Sequence, residues 1–148
     1  MSNVLIVYCS MSGNTKAAAE TIAKAVTAAG AQAMLIQGLD AEPADLIECD
    51  AVVLGSYDAF SYMGGGLKDF FDRAFYPTQG QVTDKPYAAF VTHGGGGKAI
   101  QSIESIAQSF KLKKAAEPVL VLGRPREQAI TELEALGAKI VSAIGKHA

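Results

Sequence analysis

Apolar positions in this chain follow two alternating periods. Near-continuous apolar runs at Asn3–Cys9, Gln32–Gln37, Ala51–Ser56, Pro86–Thr92 and Pro118–Leu122 predict five strands, the third apolar enough to be buried on both faces. Between them apolar residues recur every three to four positions, which predicts helices. Thr15–Ala29 turns Ala18, Ile22, Ala25, Val26 and Ala29 inward and stops at Gly30. Leu67–Phe75 does so with Leu67, Phe70, Phe71 and Ala74, and Lys98–Phe110 with Ile100, Ile103, Ile106 and Phe110. Arg126–Ile144 presents Ile130, Leu133, Ile140, Val141 and Ile144, and Pro43–Ile47 reads as a short helical turn.

Strands alternating with helices imply right-handed crossovers and a parallel sheet covered on both faces. The 148 residues fit one domain, 1–148, with no repeat, linker or low-complexity segment. In such a doubly wound α/β sheet, ligands bind outside the carboxyl ends of the strands, at the switch point of strand order. Strands one, three and four therefore send three loops to one rim: Ser10–Thr15, Ser56–Gly66 and His93–Gly97.

Composition narrows the function. Apolar residues are 49% and charged residues 19% of the chain, which excludes disorder. The net charge of −2 offers no basic field for nucleic acid. No apolar run is long enough to span a membrane. Met1-Ser2-Asn3 leads straight into a strand, so no signal peptide is expected. Cys9 and Cys49 fall at opposite ends of the predicted sheet, on the order of 15–20 Å apart, beyond the roughly 7 Å that a disulfide bridges. Both read as free thiols, and the expected compartment is a reducing cytoplasm. No His, Cys, Asp and Glu residues have metal-ligand spacing.

The first loop, Ser10-Met11-Ser12-Gly13-Asn14-Thr15, carries three hydroxyls and one amide and joins a strand to a helix N-terminus. Unpaired backbone donors and the positive end of a helix dipole suit a phosphate there. With Lys16 one position beyond and no cation inside, the loop reads as holding a phosphate rather than transferring it. Its bland alternative is a helix capped by Ser12 or Asn14. In the second loop, Tyr57, Phe60, Tyr62 and Met63 beside Gly64, Gly65 and Gly66 suit a flat, partly apolar ligand. Phe60 and Met63 could instead pack under the loop. The third loop fails as a Walker A motif: its first Gly would fall on Thr92, and the Ser/Thr after Lys98 falls on Ala99. Gly94, Gly95, Gly96 and Gly97 allow close backbone approach to a ligand edge, and His93 has no neighbouring carboxylate or nucleophile that would make it catalytic. Asp69, Asp72 and Arg73 have helical spacing and read, with Lys68, as a solvated face.

Together the three loops resemble the flavodoxin-like flavoproteins over essentially the whole chain. Ser10-Met11-Ser12-Gly13-Asn14-Thr15 is similar to the family's phosphate loop, Ser/Thr-x-Thr-Gly-x-Thr, with Ser12 at the middle Thr. Gly55-Ser56 through Asp72-Arg73 resembles the second loop of the quinone-reductase branch, with Phe60, Met63, Leu67, Phe71, Asp72 and Arg73 in place. Tyr57 stands where Pro is usual there, and Ser61 where Gly is usual. His93–Gly97 is similar to the third loop. The chain departs from acidic, Trp-stacked electron carriers in its net charge of −2 and its lack of Trp.

The resemblance implies a three-layer fold with strand order 2-1-3-4-5 and non-covalent FMN. Ser10, Met11, Ser12, Gly13, Asn14 and Thr15 would hold the 5′-phosphate. Tyr57, Phe60 and Tyr62 would cover the ring faces, with Ser56 and Asp58 in the same loop. Backbone groups of Met63, Gly64 and Gly65 and of Gly94, Gly95 and Gly96, beside His93, would address the ring edge. Glycine at 64–66 would permit a peptide flip there. The leading function is electron transfer between redox protein partners, or to a small-molecule acceptor, by a monomer or weak dimer. An NAD(P)H-dependent FMN or quinone reductase is the runner-up, and a domain that has lost flavin is the third reading.

Overall fold

The computed structural model describes residues Met1–His147. Its strands are β1 (Asn3–Tyr8), β2 (Gln32–Gln37), β3 (Ala51–Ala59), β4 (Tyr62–Met63), β5 (Pro86–His93), β6 (Lys113–Lys114) and β7 (Val119–Leu122). Its helices are α1 (Asn14–Ala28), α2 (Pro43–Glu48), α3 (Gly65–Thr78), α4 (Ala99–Ser109) and α5 (Glu127–His147). The parallel sheet runs β2-β1-β3-β5, and both β6 and β7 pair with β5 at the far edge. With β5 as the fourth main strand and β7 as the fifth, the expected order 2-1-3-4-5 stands.

Each face of the sheet buries one core. Val4, Ile6, Val53 and Phe90 meet Ile22 and Val26 of α1 and Leu133, Leu136 and Ile140 of α5. Leu5, Val7, Leu54 and Val91 meet Phe70 and Phe71 of α3 and Ile103 of α4. Where α5 crosses α1, a Cβ on Gly137 would lie 2.8 Å from Ala25 Cβ and 3.0 Å from Ile22 O, so glycine permits the close approach there. Ala29, expected inward, is exposed because α1 ends at Ala28 and Gly30 turns the chain away at φ 95°.

The third and fifth strands differ most from expectation. β3 runs on to Ala59 and folds back on β4 as an antiparallel hairpin. The edge strand is broken into β6 and β7, and Pro118 lies in the break. Cys9 and Cys49 are both free and buried, Cys9 next to the rim and Cys49 at the opposite end. Beside Cys49, the buried Lys85 Nζ donates to Leu46 O at 2.7 Å and Ile47 O at 2.9 Å, closing the end of α2. Among the described residues no helix is long and apolar enough to cross a membrane.

Candidate functional site

Tyr8, Gly55 and Phe90 are register neighbours across β1, β3 and β5; β1 ends there, β3 runs on to Ala59 and β5 to His93, and all three send their loops to the same rim. After β1, Cys9 N–H still donates to Gly55 O at 3.2 Å, and then the chain leaves the sheet. Gly13, at φ 96°, is the N-cap of α1 and has no side-chain cap bond. The Ser12 or Asn14 cap is therefore not formed. Ser10 Oγ accepts from Lys16 N–H at 3.3 Å, and Gly13 O accepts from Ala17 N–H at 3.0 Å. The backbone N–H groups from Ser10 to Thr15 find no protein partner among the described residues. Met11, Ser12 and Gly13 are exposed, and the first turn carries no acid. The result is an open cup of donors at the positive end of a 15-residue helix.

Thr15 lies at the floor of the cup, not its lip. It is buried, and its Oγ1 is 2.7 Å from Thr92 Oγ1 of β5. Only one hydroxyl of such a pair donates to the other, so one proton remains for a further acceptor. Thr92 was not singled out from the sequence. Its one signal was a polar residue ending an apolar strand.

The second loop is a built hairpin. Phe60 and Ser61 form its two-residue tip at φ 57° and 67°, the positive angles of a type I′ turn, which favours Asn-Gly. Asp58 ties this tip down: Oδ1 accepts from Ser61 N–H at 2.8 Å, and Oδ2 accepts from Ala99 N–H at 3.0 Å, at the head of α4. Met63 N–H donates to Ser102 Oγ at 3.1 Å. Ser56 is fully buried; its Oγ accepts from Gly64 N–H at 2.7 Å and donates to Tyr57 O at 2.6 Å. Cys9 Sγ lies 3.3 Å from that oxygen. A Cβ on Gly64 would stand 2.5 Å from the Tyr57 ring and 2.8 Å from Cys9 Sγ.

These contacts sort the expected residues. Ser56, Asp58 and Gly64 frame the loop. Met63 is a core side chain at 3% exposure, whereas Phe60 is completely exposed and Tyr62 is 42% exposed beside it. The flip expected at Gly64–Gly66 meets a locked backbone, because Gly64 N–H is bonded and Gly65 opens α3. Burial first, and Cys9 second, push the Tyr57 hydroxyl above its usual range.

In the third loop His93 Nδ1 accepts from Gly95 N–H at 3.0 Å and Gly96 N–H at 3.1 Å. Gly94, Gly95 and Gly96 are exposed, and Gly97 is buried at φ 72°. The three loops are thus tied pairwise: Cys9 to Ser56, Thr15 to Thr92, and Asp58 to Ala99. Arg73 proves more than a solvated charge. Besides its ion pair with Asp69 at 2.7 Å, it donates to Ala41 O at 2.9 Å and Gly38 O at 2.7 Å, fastening α3 to the turn after β2. Lys68 pairs with Asp72 at 2.7 Å on the surface as expected. No cluster of His, Cys, Asp and Glu among the described residues could hold a metal.

Comparison with known proteins agrees with this fold. Residues 6–134 match the family profile described as Flavodoxin. A flavodoxin of Aquifex aeolicus (strain VF5) is 31% identical over 98 residues, covering 66% of this chain and 53% of that protein. The chain therefore spans about half the length of the curated relative it matches. A solved flavodoxin from the domain Archaea superposes with a TM-score of 0.86 at 25% identity, covering 97% of this chain and 99% of that one. Rubredoxin oxygen:oxidoreductase from the anaerobe Desulfovibrio gigas superposes with a TM-score of 0.90 at 18% identity. That match covers 99% of this chain and 37% of the larger protein, and shows the shared fold.

Proposed function

The chain belongs to the flavodoxin family, and from that premise we propose that it holds FMN non-covalently at the rim and passes electrons between redox partners. One observation carries the reading: the backbone N–H groups from Ser10 to Thr15, at the head of α1, have no protein partner among the described residues. A cup of neutral donors without a cation fits a phosphate that anchors a cofactor. Ser10 and Ser12 add hydroxyl donors, and the unspent proton of the Thr15–Thr92 pair adds another from below.

The remaining rim fits the rest of the group. Exposed Phe60 and Tyr62, with half-buried Tyr57 behind them, offer flat apolar surface to a ring. Exposed Gly94, Gly95 and Gly96 let a ring edge approach backbone. FMN, when bound, supplies the redox chemistry. The chain's own residues anchor the phosphate, cover the ring and exclude water from it. His93 holds the third loop by accepting from Gly95 and Gly96 N–H. The redox partner is a protein or a small-molecule acceptor. Two buried free thiols accord with a reducing compartment.

The test is titration of the purified chain with FMN, followed by visible absorbance and anaerobic reduction. Tight stoichiometric binding with a perturbed visible band is the expected result. A colourless protein that ignores added FMN refutes the reading. Steady NAD(P)H oxidation with a quinone would replace the carrier by a reductase.

A further inference from the structure

The run Gly94–Gly97 has no side chains, so nothing within it fixes its backbone. His93 supplies the fixing group through Nδ1, which accepts from Gly95 N–H at 3.0 Å and Gly96 N–H at 3.1 Å. A ring nitrogen that accepts is unprotonated, so the neutral imidazole carries its proton on Nε2. The ring is half-buried against Gly97, where a Cβ would stand 3.2 Å from its Cδ2. Gly95 and Gly96 themselves are exposed at the rim. Their N–H groups are among the few donors the third loop has for a ring edge made of oxygen and nitrogen acceptors.

We propose that His93 is a positioning residue that competes with the flavin edge for the Gly95 and Gly96 donors. The proposal rests on the flavin reading above. One N–H bonds well to one acceptor at a time, so a bound ring edge and Nδ1 exclude each other. Protonation of Nδ1 turns that atom from an acceptor into a donor and removes the competitor. The charged groups on the surrounding elements are few. From β3 comes Asp58, whose carboxylate is engaged by Ser61 and Ala99 N–H. Lys98 stands at the head of α4 and Arg124 follows β7, both exposed. β7 itself brings Leu120 and Leu122, and α1 reaches this end of β5 through Thr15.

Two readouts test the competition. In the full chain without added flavin, the Gly95 and Gly96 amide resonances are expected to move on acidification, once Nδ1 carries a proton and no longer accepts. His93→Asn keeps an acceptor oxygen near the position of Nδ1 but cannot titrate, so in that variant they stay still. The binding probe is riboflavin, because a phosphate has an ionisation of its own near pH ~6. Riboflavin should bind roughly three- to tenfold more tightly at the lower pH in the parent chain, with no such gain in His93→Asn. His93→Ala should match or exceed the parent's affinity at the higher pH.

Equal pH dependence in the parent and His93→Asn overturns the proposal. So does a His93→Ala chain that melts like the parent yet binds riboflavin more weakly at both pH values. Titration of the parent with FMN separates the two readings. If FMN does not bind either, the flavin reading falls; if FMN binds and the His93 variants behave alike, only the competition falls.

Discussion

Asp58→Ala should loosen the rim by a calculable amount. The carboxylate makes two bonds, to Ser61 N–H at 2.8 Å and to Ala99 N–H at 3.0 Å. The second acts as an N-cap delivered from another element, and losing a cap typically costs about 1 kcal/mol. The first lies at an exposed tip, where a hydrogen bond contributes about 0.5–1 kcal/mol. The sum is about 2 kcal/mol, which in a chain of this size lowers Tm by roughly 4–8 °C. Asp58→Asn retains one acceptor oxygen and should lose about half as much. Urea unfolding followed by circular dichroism measures both variants. Met63 N–H to Ser102 Oγ ties the same hairpin to the same helix. The Asp58→Ala and Ser102→Ala losses should therefore be non-additive by more than about 0.5 kcal/mol. An Asp58→Ala chain within about 0.5 kcal/mol of the parent would refute the bridge between the second and third loops.

Other outcomes follow from the same geometry. Phe60→Asn with Ser61→Gly places the favoured residues at the positive-φ tip and should raise stability by about 1–2 kcal/mol in urea unfolding; no gain would mean the turn is unstrained. Thr15→Val should weaken FMN binding by about 1–3 kcal/mol in calorimetry, more than Thr92→Val, which leaves the cup-side hydroxyl in place; equal effects would make the pair purely structural. Burial pushes the Cys49 thiol up to about 11, with Lys85 opposing. A raised folded-state value gives stability that is complete below the ordinary thiol range and is lost as pH rises through about 11. That loss is on the order of 3 kcal/mol. Lys85, lowered by burial, has the opposite slope. Denaturant midpoints of Cys49→Ala should fall less steeply across this alkaline range than those of the parent, and identical slopes would rule Cys49 out as the source.

The layers and the rim were legible because they depend on periods and on glycine, both local signals. The apolar runs located every main strand, and the three loops after β1, β3 and β5 do meet. What escaped was set by contacts distant in sequence. Tyr57-Asp58-Ala59 looks like loop, yet it continues β3 because β5 and β4 offer it partners. The hairpin tip is Phe60-Ser61 rather than Asn-Gly, so no turn signal marked it. Thr92 acquires its role only from Thr15, 77 positions earlier. Arg73 sits at ordinary helical spacing from Asp69, and nothing local foretells its bonds to Gly38 and Ala41 carbonyls. The alternative cap by Ser12 or Asn14 is absent because Gly13 takes the turn at φ 96° and leaves the donors open.

The pairwise ties among the loops bear on engineering by transplantation. A loop moved alone from a relative would strand a buried partner: Ser56 without its thiol neighbour, Thr92 without its hydroxyl, or Ala99 N–H without its carboxylate. The smallest unit that transfers intact is therefore a mosaic of Cys9, Thr15, Ser56, Asp58 and Thr92, together with the head of α4, drawn from four elements and the segment after β1. Chimeras that respect its borders should graft cleanly, and those that cut across it should need a compensating second change at the severed contact.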